Sequence, residues 1–307
     1  MAILFNNADG NQAGWIEALK GLLPDIPIHL YPYEKIEEIK YAVVWNHPPG
    51  DLKRYPNLRA ILNLGAGTDY LDADKELPKV PIVRLVDPVV DINMAQYVLY
   101  WVMHFRCGYE RYRLKQSAKD WSRFQTPQVS DFRVSILGLG MIGQFIADYV
   151  AAFGFNTKGW NRSPRSINNV RTYTGEHELD AMLAETDVLV NCLPLKENTK
   201  QFIGHRVFNC MPKGGFFINV SRGGVVNDAE LIEAIDNNHV DAAALDTFTQ
   251  EPLPLDSSYW THAKVFVTPH ISGATYASTT ATVLADNIRR LEQGEQPFPI
   301  YPEYSYD

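Results

Sequence analysis

Residues 134–143 read VSILGLGMIG. A short, mostly apolar run with strand character leads into the pattern GxGxxG, and QFIADYVAAFG after it reads as a helix. Strand, glycine turn and helix in that order make up a dinucleotide-binding unit. Gly138 permits the tight turn, Gly140 lets the backbone approach a pyrophosphate, and Gly143 allows close packing of helix on strand. The start of the helix, at Met141 and Ile142, offers N–H groups and a partial positive charge to phosphates.

Working outward, RVSILGLG is the first of six strand candidates, followed by FNTKGW, VLVNCL, GGFFINV, DAAALDTF and KVFVTP. Six are enough for a doubly wound parallel sheet. Upstream, AILF, YAVVW and RAILNLG alternate with helical patterns such as GWIEALKGLL and form a second series. The periodicity predicts a bridging helix over 93–117, with Met94, Val98, Trp101 and Phe105 on one face, and a closing helix over 274–293 that packs back on the first series. The expected fold is α/β: two Rossmann-like lobes with parallel sheets and an active-site cleft between them. Residues 1–95 and 276–307 are expected to form a discontinuous substrate-binding domain, and 96–275 the dinucleotide-binding domain.

Composition narrows the class. The 307 residues are 46% hydrophobic, enough for one large or two modest cores. A formal net charge of −8 and the lack of a basic run speak against a nucleic-acid partner. The opening MAILFNNADGNQ has neither a basic n-region nor a long apolar stretch, so no signal peptide or membrane partner is expected. Three cysteines without CxxC spacing fit reduced thiols, and the expected location is the cytoplasm. The histidines show no HExxH or other tight ligand spacing, so no metal is expected.

The acid that such a fold would place at the end of its second strand, to bind the ribose 2′-hydroxyl of NAD, is missing. Residues 159–166 read GWNRSPRS. Asn161 removes the repulsion that a carboxylate would exert on a 2′-phosphate. Arg162 can pair with that phosphate, and Ser163 and Arg165 add a hydroxyl donor and a second positive charge. The expected cofactor is NADPH, with NADH the weaker alternative.

Hydride chemistry also needs a group that moves a proton and one that holds the substrate. INVSRGGVVND puts Arg222 after one strand, LDTFTQEPLP puts Glu251 beyond another, and VFVTPHISG puts His270 beyond a third. In a parallel sheet all three lie at carboxyl ends, where such sheets bind ligands. The glycine turn, NVSRGG, ALDTFTQEP and TPHISG, in this order, resemble the D-2-hydroxyacid dehydrogenase family over nearly the whole chain. LNLGAGTDY and INMAQYVLYWVMHF resemble it too, and the NRS turn with the short C-terminus is most similar to the glyoxylate/hydroxypyruvate reductase A branch.

The resemblance implies a catalytic set. Arg222 holds the carboxylate of a 2-oxo acid and polarises its carbonyl, His270 donates the proton, and Glu251 orients His270 and stabilises its imidazolium. It also implies that backbone N–H groups at Ala66 and Gly67 receive the substrate carboxylate and that Trp45 walls the pocket. Asp246, Thr199, Leu193 and Pro194 lie by the cofactor on the same analogy, and Val220, before Arg222, is counted with them. The expected activity is NADPH-dependent reduction of small 2-oxo acids, glyoxylate and hydroxypyruvate first, by a homodimer formed through the helix rich in aromatic groups and the Trp121 region. The other readings are a dinucleotide-sensing, corepressor-like binding protein, and a dehydrogenase of the same family with another substrate.

Overall fold

The computed structural model describes residues 1–8 and 12–301. The chain divides into two compact units, one built from its first part up to Val90 and the C-terminal part from Ala274, the other running from Asp91 to Gly273. The first part comprises β1 (Ala2–Asn7), α1 (Ala13–Leu22), β2 (Ile28–Leu30), β3 (Ile39–Trp45), β4 (Ala60–Asn63), α2 (Asp69–Ala73), β5 (Ile82–Val83) and the start of α3 (Pro88–Cys107). Next come α4 (Tyr109–Ser117), β6 (Arg133–Leu137), α5 (Met141–Ala152), β7 (Asn156–Asn161), β8 (Arg171–Thr174), α6 (Gly175–Leu183), β9 (Val188–Asn191) and α7 (His205–Cys210). The second unit closes with β10 (Gly215–Asn219), α8 (Asp228–Asp236), β11 (Val240–Leu245) and β12 (Val265–Val267), and the chain ends in α9 (Ala277–Glu292) and β13 (Ile300–Tyr301).

In the first unit the sheet order is β13-β5-β4-β3-β1-β2, all parallel except β13, which runs antiparallel to β5. Its central strands are apolar on both faces because both faces are covered. Ile3, Phe5, Tyr41, Val43 and Leu62 pack with Trp15 and Leu19 of α1 and with Leu284 and Ile288 of α9. Leu4, Ala42, Val44 and Ile61 face the other way, onto Leu52, Tyr55 and Leu71. Leu284, Ala285, Ile288 and Leu291 form the buried stripe of α9. Buried Asp87 accepts hydrogen bonds from Thr279 and Thr280 of α9, at 2.8 and 2.7 Å, and from the N–H of Val89 at 2.9 Å.

The second unit holds a seven-stranded parallel sheet, β12-β11-β10-β9-β6-β7-β8. From β6 the chain first adds strands on one side and then crosses to β9 on the other. The strand order therefore reverses between β6 and β9, and it is outside the carboxyl ends at such a point that open α/β sheets bind ligands.

Three sequence expectations are corrected here. The sheet has seven strands, not six, because RTYT (171–174) forms the edge strand β8. Only Tyr173 of that strand is buried, so it carries no apolar signal. The long helix begins at Pro88, where Asp87 and Pro88 supply a start signal, and it is broken at Gly108, whose φ of 61° is left-handed. The strands β2, β5 and β13, of two or three residues each, are too short to show a period. No helix among the described residues is long and apolar enough to cross a membrane.

The packing of α5 on β6 depends on a missing side chain. A Cβ at Gly143 would stand 1.9 Å from the carbonyl oxygen of Gly138. Gly143→Ala is expected to lower the stability of the protein by about 2 kcal/mol through overpacking, read as a lower midpoint in urea unfolding.

Candidate active site

At the reversal of strand order, the turn after β6 runs against the backbone that leaves β9. Gly138 has φ +95°, and a Cβ there would lie 2.8 Å from Cys192 O and 2.9 Å from Leu193 N. A Cβ at Gly140, by contrast, would meet no atom within 4 Å. The first and third glycines are thus needed by the protein's own packing, while the second faces open space, as a backbone that receives a pyrophosphate must. Met141 is exposed and Ile142 half-buried at the start of α5. These residues fit a dinucleotide.

The ends of β9 and β10 are locked by a buried amide pair that the sequence did not reveal. Asn191 Nδ2 donates to Asn219 Oδ1 at 2.9 Å, Asn191 Oδ1 accepts the N–H of Leu193 at 3.0 Å, and Asn219 Oδ1 accepts that of Ser221 at 3.2 Å. Leu193 and Val220 are buried beside this pair, and Pro194 is exposed. The hydroxyl of Thr199 staples its own loop, bonding Pro194 O and receiving the N–H of Lys196 at 2.8 Å. Asn161, at the end of β7, accepts the N–H of Leu139 at 3.3 Å, and Arg162, Ser163 and Arg165 follow it on the exposed turn.

Arg222, Glu251 and His270 follow β10, β11 and β12 on the same edge of the sheet. The loops that carry the first two are in backbone contact, since a Cβ at Gly223 would come within 1.9 Å of Phe248 C and 2.2 Å of Thr249 N. Arg222 Nη1 donates to Ser221 O at 2.8 Å, and its charge acts on Glu251. His270 Nδ1 lies 2.7 Å from Glu251 Oε2, while Glu251 Oε1 accepts the N–H of Phe248 at 2.9 Å. A carboxylate can only accept, so Nδ1 carries the proton and Nε2 is the ring nitrogen left for exchange.

Burial alone would raise the Glu251 carboxyl. The hydrogen bonds from His270 and Phe248, with the charges of His270 and Arg222, outweigh it and hold the carboxyl below its ordinary value.

His270 itself sits at φ 52°, a left-handed conformation uncommon outside glycine. Asp246 sustains it. The fully buried carboxylate accepts Thr268 Oγ1 at 2.6 Å and the N–H groups of Ile271 and Ser272 at 2.9 and 2.8 Å, while Asp246 O accepts the N–H of His270 at 2.9 Å. With the Thr268 hydrogen directed to Asp246, Tyr97 donates to Thr268 Oγ1 at 2.7 Å, and burial pushes the Tyr97 hydroxyl up to about 12.

Trp45, Ala66 and Gly67 belong to the first unit. The Trp45 ring lies across Gly65, where a Cβ would stand 2.1 Å from Cζ3, and meets Tyr70 edge-on at 5.6 Å. Asn63 Nδ2 donates to Gly65 O and Gly67 O, both at 2.7 Å. The carbonyls are drawn inward, and the N–H groups of Ala66 and Gly67 have no hydrogen-bond partner among the described residues.

A model of the D-isomer specific 2-hydroxyacid dehydrogenase NAD-binding domain matches residues 99–272, more than half of the chain. The chain belongs to the D-isomer-specific 2-hydroxyacid dehydrogenase family. It is 32% identical over 301 residues to glyoxylate/hydroxypyruvate reductase A of Photorhabdus laumondii, with 96% of each sequence covered. A family member from Xanthobacter autotrophicus, solved with NADPH and MES, superposes with a TM-score of 0.92 at 35% identity, covering 97% of each chain. An NADPH-dependent glyoxylate/hydroxypyruvate reductase from Sinorhizobium meliloti, solved with NADP and sulfate, gives 0.91 at 30% identity and 98% coverage of each. The protein is thus an oxidoreductase of this family with a nicotinamide-dinucleotide-binding domain.

Sequence reasoning missed Gly65, Gly223 and the Asn191–Asn219 pair. The glycines stand beside quoted motifs, in GAGTD and SRGG, yet their need appears only when a distant segment packs on them. Gly223→Ala is expected to push the Arg222 loop off the Glu251 loop and to lower turnover by about a hundredfold, the scale of an ångström's misplacement, with the circular dichroism spectrum retained.

A second expectation concerns acid. Because the Glu251 carboxyl is held below its ordinary 4.5, its ionised form stabilises the folded protein above that pH, and this contribution is lost as pH falls through the folded value. Glu251→Gln should therefore lower the melting temperature at neutral pH, and the gap to the parent protein should close as pH falls below 4.5.

Proposed function

We propose that this protein reduces small 2-oxo acids, glyoxylate and hydroxypyruvate foremost, to 2-hydroxy acids with NADPH, and uses NADH less well. The observation that carries this reading is the His270–Glu251 pair at 2.7 Å on the sheet edge that also bears Arg222 and the glycine turn. Support for NADPH comes from Asn161, Arg162, Ser163 and Arg165 in place of an acid, and from the NADPH or NADP named in the two solved relatives. Support for the substrates comes from the names of the Photorhabdus and Sinorhizobium reductases.

When bound, the reduced nicotinamide supplies a hydride to the substrate's carbonyl carbon. The guanidinium of Arg222 holds the substrate carboxylate and polarises the carbonyl oxygen, on which negative charge develops. His270 gives its Nε2 proton to that oxygen, and the Glu251 carboxylate, bonded to Nδ1, keeps the ring oriented. Hydride and proton together complete the 2-hydroxy acid; in reverse, His270 takes the proton.

Trp45 and the N–H groups of Ala66 and Gly67 are assigned to the substrate. Gly138, Gly140, Met141, Ile142, Gly143, Leu193, Pro194, Thr199, Val220 and Asp246 are assigned to the cofactor's surroundings, Asp246 by holding the His270 segment. The exposed Ile92, Tyr100 and Met103 of α3, with Trp121 at 93% exposure, support a homodimer.

The test is steady-state oxidation of NADPH and NADH with glyoxylate, hydroxypyruvate and pyruvate, in the parent protein and in Arg222→Ala. The expected result is preference for NADPH with the first two acids, and in the variant a loss of kcat/KM of about 10³ with NADPH affinity nearly retained. Turnover with NADH alone overturns the cofactor assignment, and an equal loss of NADPH affinity overturns the role of Arg222.

A further inference from the structure

The turn between β7 and β8 is held from its inner side by side chains that belong to neither arginine. Thr174 Oγ1 stands 3.1 Å from both Asn161 O and Arg162 O, Asn161 Nδ2 donates to Ser163 O at 3.0 Å, and Thr172 Oγ1 donates to Arg165 O at 2.7 Å. Thr174 also occupies the N-cap of α6, where a threonine hydroxyl ordinarily accepts a helix N–H. It makes no such cap bond. Its hydroxyl is turned back onto the 161–162 carbonyls instead.

That choice has a consequence for the opposite side of the turn. In a planar trans peptide the N–H points away from its own carbonyl, so each carbonyl drawn inward sends the next N–H outward. The groups so turned are the N–H of Arg162, Ser163 and Ser166, and none has a hydrogen-bond partner among the described residues. Outward N–H groups in close succession make a concavity for an anion, and the exposed Arg162 and Arg165 add permanent charge. The Asn161 bond to Leu139 N ties this cradle to the glycine turn that faces a pyrophosphate.

We propose that Thr172 and Thr174 are positioning residues that set the preference for NADPH over NADH, by holding the 161–166 turn with its N–H groups presented to the 2′-phosphate. This rests on the reading of NADPH as the cofactor. NADH has a hydroxyl at that position and makes no demand on the cradle, so the two threonines act on one cofactor and not the other.

The experiment measures NADPH and NADH dissociation constants by titration of protein fluorescence, and kcat and KM for both with one 2-oxo acid, in the parent protein, Thr174→Val, Thr172→Val and Thr174→Ser. Valine keeps the shape and the strand preference, and at Thr174 no cap bond is lost, so the variants should fold. Thr174→Val is expected to weaken NADPH binding and raise its KM about tenfold, with NADH constants within about twofold and kcat retained, while serine restores the parent values. An unchanged NADPH/NADH ratio in both valine variants overturns the proposal, as does an equal loss for NADH, which would mark a purely structural role. A parent protein without NADPH preference overturns the cofactor reading and this proposal with it; a parent with preference and variants without effect overturns this proposal alone.

Discussion

The carboxylate of Asp246 is the constraint on which the His270 end of the candidate site depends. It is fully buried, and moving a charge out of water costs several kcal/mol unless hydrogen bonds replace the lost hydration. Three donors do so, all from the segment 268–272, at about 1.5–3 kcal/mol each for bonds to a charged group. All three bonds are made at once in the observed arrangement of that segment. In that arrangement His270 takes its left-handed backbone and its ring meets Glu251.

A second theme is how glycines let other segments close onto the backbone near strand ends. Gly143 lets α5 sit on the Gly138 carbonyl, Gly223 lets the Arg222 loop touch the Phe248–Thr249 peptide, and Gly65 accepts the face of Trp45. Each close approach lies beside a residue of the candidate site and leaves no room for a Cβ. The glycines act by what they leave out, so the geometry of each is specified by the segment that fills the space.

Electrostatics are local. The chain carries a net charge of −8, yet the expected ligands are anions. The means are a helix start beside the glycine turn, two exposed arginines after β7, Arg222 after β10, and N–H groups without a partner among the described residues at Ala66, Gly67, Arg162, Ser163 and Ser166. Backbone N–H groups attract anions without adding to the formal charge, so an acidic protein can present several anion-receiving points.

Much of this was legible in the chain itself. VSILGLGMIG carries its own strand, turn and helix signals within ten residues, and the order of the motifs after it leads to the family and to Arg222, Glu251 and His270. Local patterns sufficed there because period, glycine placement and helix start act over a few residues. The edge strand 171–174, the early start of α3 and its break at Gly108 were missed, the first because an edge strand of polar residues shows no apolar period. Tertiary structure alone decided that Asn191 pairs with Asn219, that Asp246 serves the His270 segment, and that Thr174 turns back to the 161–162 carbonyls instead of capping its helix. Those contacts join residues far apart along the chain, and an Asn, Asp or Thr can bond in several directions. Which direction it takes is settled only when the parallel strands set their ends side by side.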